Sequence, residues 1–316
     1  MAGFSTANNE HLIRTQVWDP DLKRVFEDEL MGWRYVKMLN FPDGDTLNLP
    51  SIGSMQTRDY VENAQVLYDA MDTGNFTFTI TDYKSAGTYI TNKMKQDSYY
   101  MSELMAAFVP SMNRALAVNM EVRALAVGPE SQTLADLNLI NTAAHRWVGA
   151  GTNEIMTPID FQRAKYALQK ANVPMTNLIA IVDPSVEYAL ATVTNLVNLS
   201  NNPRWEGIVK TGISTGMRFI TNIYGFDVYT SNNLKVNTAS ETISGRTAAA
   251  GVNNLFFSAD TVARPFVGAI RQAPKVDSQY NQDFQREEYA VTCRYGIKTY
   301  RPEAFAVVVT DTDQVL

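Results

Sequence analysis

Residues 285–309 read QREEYAVTCRYGIKTYRPEAFAVVV. From Glu288 to Tyr300 the side chains alternate with the period of two that an extended strand imposes. Tyr289, Val291, Cys293, Tyr295 and Ile297 fall on one face; Ala290, Thr292, Arg294, Gly296 and Lys298 fall on the other. Arg301-Pro302 interrupts the run, and Ala304 to Val309 makes a second, wholly apolar strand. Strands usually extend over about 5–6 residues. A run this long is expected to be either one side of a long hairpin or a rib reaching beyond a single core.

The chain around it has 316 residues, more than one hydrophobic core normally serves, so two lobes are expected. Hydrophobic residues at 45% and charged residues at 19% describe a folded, soluble chain. A net charge of -6 argues against a dedicated nucleic-acid binder, which carries a basic patch. It does not argue against a container for nucleic acid, which must not grip its contents. The single cysteine, Cys293, excludes an internal disulfide framework and a zinc-type cysteine cluster. Its place in the alternation makes it a small buried hydrophobe. The N-terminus MAGFSTANNEHLIRTQ has no apolar signal core, and no run approaches the ~18 apolar residues of a membrane helix. The sequons at Asn75 and Asn198 therefore read as chance matches.

Before the rib, the chain is organised as follows. Asp19-Pro20 caps a helix with Leu22, Val25, Phe26, Leu30 and Trp33 at helical spacing. Pro42-Asp43-Gly44 is a turn, and Thr46–Ile52 a short edge strand containing Pro50. Phe76 to Thr81 alternates aromatic or Ile with Thr, and Tyr83 to Ile90 is its expected partner strand. Such a two-stranded ribbon is marginal alone in water, so an arm lying on a neighbouring subunit is expected. Met94 to Val127 is the longest helical pattern, with Met101, Leu104, Met105, Phe108, Met112, Ala115 and Leu116 on one stripe. Pro110 should kink or divide it, and Gly128-Pro129 should end it. Alternating helices and strands follow: a helix capped by Thr157-Pro158, a strand at Leu178–Val182 and a helix capped by Asp183-Pro184. A hairpin turning at Gly225, and strands at Leu255–Ser258 and Pro265–Ile270, complete the series. Residues 235–253 are small and polar, and predict a mobile surface loop.

Catalytic chemistry finds little support. Gly212-Ile213-Ser214-Thr215-Gly216 fits the nucleophile-elbow pattern. The elbow requires a helix after it, and hydrolase order requires a histidine after the serine. Here strands follow, and both histidines, His11 and His145, precede Ser214. Two distant histidines and one cysteine do not build a zinc site. His145 reads as a surface or satisfied histidine. Asp311 and Asp313 lack the glycine and glutamate of a calcium loop. Gly149-Ala150-Gly151-Thr152-Asn153-Glu154 fails the dinucleotide pattern at its last glycine. No catalytic, cofactor-binding or metal residue is assigned, and no cofactor is expected.

Three stretches then carry a resemblance. YAVTCRYGIKTYRPEAFAVV at 289–308, LIAIVDPSVEYALATV at 178–193 and ITNIYGFDVYTSNNL at 220–234 are similar to segments of tailed-bacteriophage major capsid proteins with the Hong Kong 97-type fold. The order of elements over most of the chain is similar too. The resemblance implies an α+β fold with an N-terminal arm (1–40), an extended hairpin loop (41–93), a spine helix of the peripheral domain (94–128), an axial domain (129–260) and strands returning to the peripheral domain (261–316). It implies a virion protein, assembled in the host bacterial cytoplasm, whose copies form pentamers and hexamers of an icosahedral shell around double-stranded DNA. DNA contact would be non-specific, and no membrane is involved. With only about forty residues before Pro42, a separate scaffolding protein is expected beside a portal and a possible cement or decoration protein. Lys84 matches no crosslinking motif, so no covalent crosslink is expected. The polar face of the rib, with Arg294 and Lys298, is the expected surface toward a neighbour or DNA. An encapsulin-type compartment and a two-domain enzyme using carboxylate chemistry are the alternatives.

Overall fold

A computed structural model describes residues 30–40, 46–52, 73–97, 101–191 and 219–311, with 59, 62, 63 and 65. A short 3-10 turn at Gly32–Tyr35 leads into β1 (Lys37–Met38), β2 (Thr46–Ile52), β3 (Thr73–Thr79), β4 (Asp82–Thr91), α1 (Asn92–Asp97) and α2 (Met101–Ser131). Next come β5 (Leu139–Ile140), β6 (Ala143–Ala144), β7 (Arg146–Val148), α3 (Pro158–Lys170), β8 (Leu178–Val182) and α4 (Pro184–Ala191). The chain closes with β9 (Phe219–Ile223), β10 (Phe226–Thr230), β11 (Glu241–Ile243), β12 (Arg246–Ala248), β13 (Gly251–Ser258), β14 (Phe266–Asn281), β15 (Arg286–Thr299) and β16 (Phe305–Asp311).

Two sheets organise these elements. One has the order β1-β14-β15-β4, the other β7-β16-β13-β8-β10-β9. The opening rib is β15, and its partner is β14, so the long-hairpin alternative is the one realised. The sequence shows only the apolar start of β14. Its continuation RQAPKVDSQYN is polar because both of its faces are largely exposed. β16 does not stay with β15: after a 3-10 turn at Pro302–Ala304 it enters the second sheet between β7 and β13. Both faces of that sheet are covered, which explains the unbroken apolar runs of β8 and β16. Ile179, Ile181, Leu255, Phe257, Val307 and Val309 face one core; Leu178, Ala180, Val182, Phe256, Ala306 and Val308 face the other.

The local signals at α3 and α4 hold. Thr157 and Asp160 form a reciprocal capping box at the start of α3. The Ser185 amide donates to Asp183 Oδ2 at 2.9 Å at the start of α4. The β9–β10 hairpin turns on Tyr224 and Gly225, both at positive φ. The predicted helix beginning at Asp19-Pro20 lies outside the described residues up to residue 29, while its last predicted positions do not continue it: Leu30 is not helical and Trp33 sits in the 3-10 turn. The turn at Pro42-Asp43-Gly44 and the serine elbow at Ser214 lie outside the described residues.

Three expectations need correction. First, α2 runs through Pro110, which is exposed, and through Gly128-Pro129 to Ser131. A Cβ on Gly128 would sit 3.0 Å from the Phe266 ring and 3.3 Å from Phe305. That glycine therefore allows close packing and does not end the helix, and Ser131 Oγ donates to its carbonyl at 2.7 Å. Second, β3 pairs with β2 and not with the strand at Tyr83–Ile90, which is β4 and joins β15. The dipeptide between β3 and β4 changes sheets instead of closing a hairpin. Third, residues 235–253 are ordered. They hold the β11–β12 hairpin, and Glu241, Ala248 and Asn253 are buried.

The reason is a buried ion pair that no sequence pattern announces. Arg146, wholly buried, grips Glu241 with a two-pronged fork, Nε to Oε1 and Nη2 to Oε2, both 2.6 Å. Nη2 also donates to Asn253 Oδ1 at 2.9 Å. Glu241 further accepts from the Ala135 amide at 3.0 Å and Asn237 Nδ2 at 2.7 Å. Burial alone would raise the Glu241 carboxyl, but the Arg146 fork, the Ala135 amide and Asn237 together hold it below its ordinary value. His145, the next residue, is buried as well, not on the surface. Burial lowers its pKa against the opposing backbone contacts at Ala143 and Glu303, so it is neutral at pH 7.

Both shifts predict acid sensitivity with the same sign. A neutral buried histidine contributes stability above its unfolded value, 6.5, which fades as pH falls through its folded value. Glu241 does the same below 4.5. The urea midpoint should therefore be flat from pH 6.5 to about 8 and fall in two stages below 6.5, and His145→Gln should remove the upper stage. Arg146→Met should cost about 3–5 kcal/mol by leaving Glu241 buried without its cation, measured by denaturation at pH 7.

Candidate assembly surface

The alternation of β15 gives its two faces different work. Val291, Cys293 and Tyr295 are fully buried against Met112, Leu116 and Met120 of α2. Burial pushes the Cys293 thiol up, so it is a core group and not a reactive one. Tyr295 also meets Trp33 edge-on at 5.8 Å and donates its hydroxyl to Asn119 Oδ1 at 2.9 Å. Trp33 Nε1 donates to the Met120 carbonyl at 2.8 Å. Just before it, Glu121 takes the Met31 amide at 3.0 Å and the Gly32 amide at 2.7 Å. The N-terminal segment is thereby pinned to α2.

The opposite face of β15 is the seat of the β2–β3 ribbon. A Cβ on Gly296 would lie 3.0 Å from Ile80 Cα and 3.1 Å from the Thr79 carbonyl, so the ribbon crosses the strand in direct backbone contact. Lys298 Nζ donates to the Thr77 carbonyl at 2.9 Å and lies 5.1 Å from the centre of the Phe76 ring. Phe76 in turn stacks edge-on with Tyr300 at 5.0 Å. Phe78 and Ile80 are buried with Ala269, and Leu39, Leu47 and Phe76 pack around them. The base of the ribbon is thus anchored, while Gly74 and Asn75, toward its other end, are exposed. Lys298, expected to face a neighbour or DNA, is instead engaged within the subunit. Arg294 is half-buried on the same face, between Gln272 of β14 and Tyr83 of β4.

The free end of the β14–β15 hairpin carries a second feature. The Arg286 guanidinium lies 4.5 Å from the Tyr89 ring and 4.6 Å from the Phe284 ring. Its Nε donates to Glu288 Oε1 at 2.7 Å, which holds the Glu288 carboxyl below its usual range. Asn92 Nδ2 donates to the Tyr280 hydroxyl at 2.8 Å, and Lys95 pairs with Glu287 at 2.5 Å. Phe284 is 65% exposed and Tyr89 57% exposed despite these contacts. Aromatic rings held rigidly by an arginine and left open to solvent have the composition of contact centres in protein interfaces. The sequence gives no hint of this cluster, since Tyr89 and Arg286 meet only through strand pairing.

The remaining residues singled out in the sequence are dispersed. Lys84 is exposed on β4, and the buried Asp311 accepts the Ala249 amide at 3.0 Å. The glycine stretch at 149–151 is held by Arg246, which donates to the Gly149 carbonyl and, at 3.0 Å, to that of Gly151. His11, Ser214 and Asp313 lie outside the described residues. Among the described residues, no three His, Cys, Asp or Glu side chains cluster as metal ligands, and no helix is long and apolar enough to cross a membrane.

Comparison with known proteins places these features. A family model described as phage capsid protein matches residues 63–308. No curated protein matches the chain. Among solved structures, one from Mycobacterium phage Che8 superposes with a TM-score of 0.69 at 15% identity, covering 93% of this chain and 96% of the other. The capsid structure of cyanophage P-SCSP1u gives 0.69 at 15% identity, over 97% and 94%. The mature capsid of bacteriophage PhiM1 gives 0.66 at 11% identity, over 94% and 91%. At these identities the likeness is one of fold, and the α+β, Hong Kong 97-type fold implied by the resemblance is the fold observed.

The seat makes a specific prediction. Gly296→Val forces a branched side chain into the Ile80–Thr79 backbone and should destabilise the subunit by about 1–3 kcal/mol. Lys298→Met, which keeps the stem over Phe76 but loses the bond to Thr77, should cost only about 0.5–1.5 kcal/mol. Urea denaturation of both variants, with amide exchange at Thr77 and Thr79, reads the difference.

Proposed function

The chain belongs to the phage capsid protein family, and we propose that its copies close in fives and sixes into an icosahedral shell around double-stranded DNA. It is a capsid structural protein and not an enzyme. The observation that carries the proposal is the ribbon: anchored at Gly296 and Lys298, its other end leaves the subunit core, as an arm laid on a neighbour must.

The rest follows from that arrangement. Residues 1–40 serve as an N-terminal arm, held at Met31 and Gly32 by Glu121, and 41–93 contain the extended loop. α2, with α1 before it, is the spine over 94–128. Residues 129–260, completed by β16 between β7 and β13, form the axial domain, and the rest of 261–316 supplies the returning hairpin. Rings are made by heterologous contacts that must close, and stable contacts of this kind bury more than about 1,000 Å². The exposed Tyr89–Arg286–Phe284 cluster supplies one contact centre. The acidic balance of -6 suits loose, salt-screened contact with packaged DNA and no sequence reading. A separate scaffolding protein guides assembly in the host bacterial cytoplasm, a portal joins the shell, and a cement or decoration protein is a possible further partner. Nothing observed favours an encapsulin-type compartment, whose cargo would be an enzyme.

Electron microscopy of the protein, expressed alone and with a scaffolding protein, should show closed icosahedral particles. A stable monomer or dimer under all conditions contradicts the proposal. Phe284→Ala with Arg286→Ala should abolish closed particles while lowering the subunit's unfolding free energy by no more than about 1–2 kcal/mol, the sum of an exposed cation–π contact and a surface ion pair. Denaturing gels of the particles should show single-chain bands and no ladder.

A further inference from the structure

The two outer edges of the four-stranded sheet are built differently. The edge at β14 is defended. β1 covers it at Val267 and Gly268, Pro274 removes a donor from it, and the register breaks twice between Ile270 and Lys275. Proline, bulges and charge are the means by which proteins keep an edge from accepting another strand. The edge at β4 has no proline and no bulge, and its one exposed charge is Lys84. Asp82–Thr91 is ten residues of regular strand, pairs with β15 in unbroken register and, among the described residues, has no partner on its other side. A regular edge of this length is a template for strand addition when its lysine meets no like charge.

We propose that β4 pairs antiparallel with β4 of a second copy of the chain about a two-fold axis through Ala86, joining two four-stranded sheets into one. This rests on the shell-forming reading above. The side chains select the register. Tyr83 and Tyr89 lie on the same face of β4 and are 63% and 57% exposed. A two-fold at Ala86 sets each Tyr83 opposite the partner's Tyr89, twice, and cross-strand aromatic pairs of this kind stabilise a sheet. Ser85 meets the partner's Gly87, and Lys84 meets the partner's Thr88, so no like charges oppose each other. Because residues the same distance either side of Ala86 share a face, the two copies present the same side of the sheet outward. That is the arrangement a two-fold axis perpendicular to a shell requires.

Hydrogen exchange on free subunits and on assembled particles tests the pairing. The outward amides of residues 82–91 should exchange at least about tenfold more slowly in particles, while those of residues 271–281 change little. Ala86→Cys particles, treated with oxidant or a short bis-maleimide, should yield dimers on a denaturing gel. The buried Cys293 leaves that assay without background. Particles whose β4 amides exchange as in free subunits overturn the proposal. So do particles protected at β4 in which Ala86→Cys gives no dimer, since another strand would then occupy the edge. Absence of closed particles under every condition overturns the shell reading itself, and the pairing with it.

Discussion

The four-stranded sheet depends on contacts made on both faces of β15. One face places Val291, Cys293 and Tyr295 on the spine helix, and the other places Gly296 and Lys298 under the ribbon. A strand with one solvated face needs only alternation. A strand gripped on both faces must in addition fix a register for two unrelated partners at once. A slip of one residue would put Arg294 against Met120 and carry Gly296 out from beneath Ile80. The long β14 partner and the added β4 hold that register over fourteen residues of strand.

The second sheet relies on a different constraint. Arg146 and Glu241 are taken out of water together, which is favourable only when their remaining hydrogen-bonding capacity is met. Asn253, Gln132, Asn237 and the Ala135 amide meet it. The pair thereby ties the β11–β12 hairpin and the segment after α2 to the sheet edge at β7. An apolar pair of similar volume could match the stability, but it would not impose this one geometry on four separate stretches of chain.

Legibility in the sequence followed physical locality. Leu178–Val182, the Asp183-Pro184 and Thr157-Pro158 caps and the Tyr224-Gly225 turn were readable because neighbouring residues determine them. The outer half of β14 was not, because a strand exposed on both faces has no alternation to display. Residues 235–253 looked like a mobile loop because small polar side chains hide a fold stabilised by Arg146, nearly a hundred residues earlier. Gly128-Pro129 reads as a helix stop, yet the glycine answers to Phe266 and Phe305 across the core. The family resemblance was carried by the rib and two short motifs, while the Tyr89–Arg286–Phe284 cluster and the Glu121 latch exist only through tertiary contact.

The central claim is that the ribbon is held at its base by its own subunit and spent, at its other end, on another. A side-chain-resolution reconstruction of the assembled shell tests it most directly. The account predicts that each copy's Lys298 rests on its own Thr77 carbonyl and that the exposed Gly74 and Asn75 lie on a second copy. A ribbon folded back along its own subunit, or one whose base has left Gly296 for a neighbour, would contradict it.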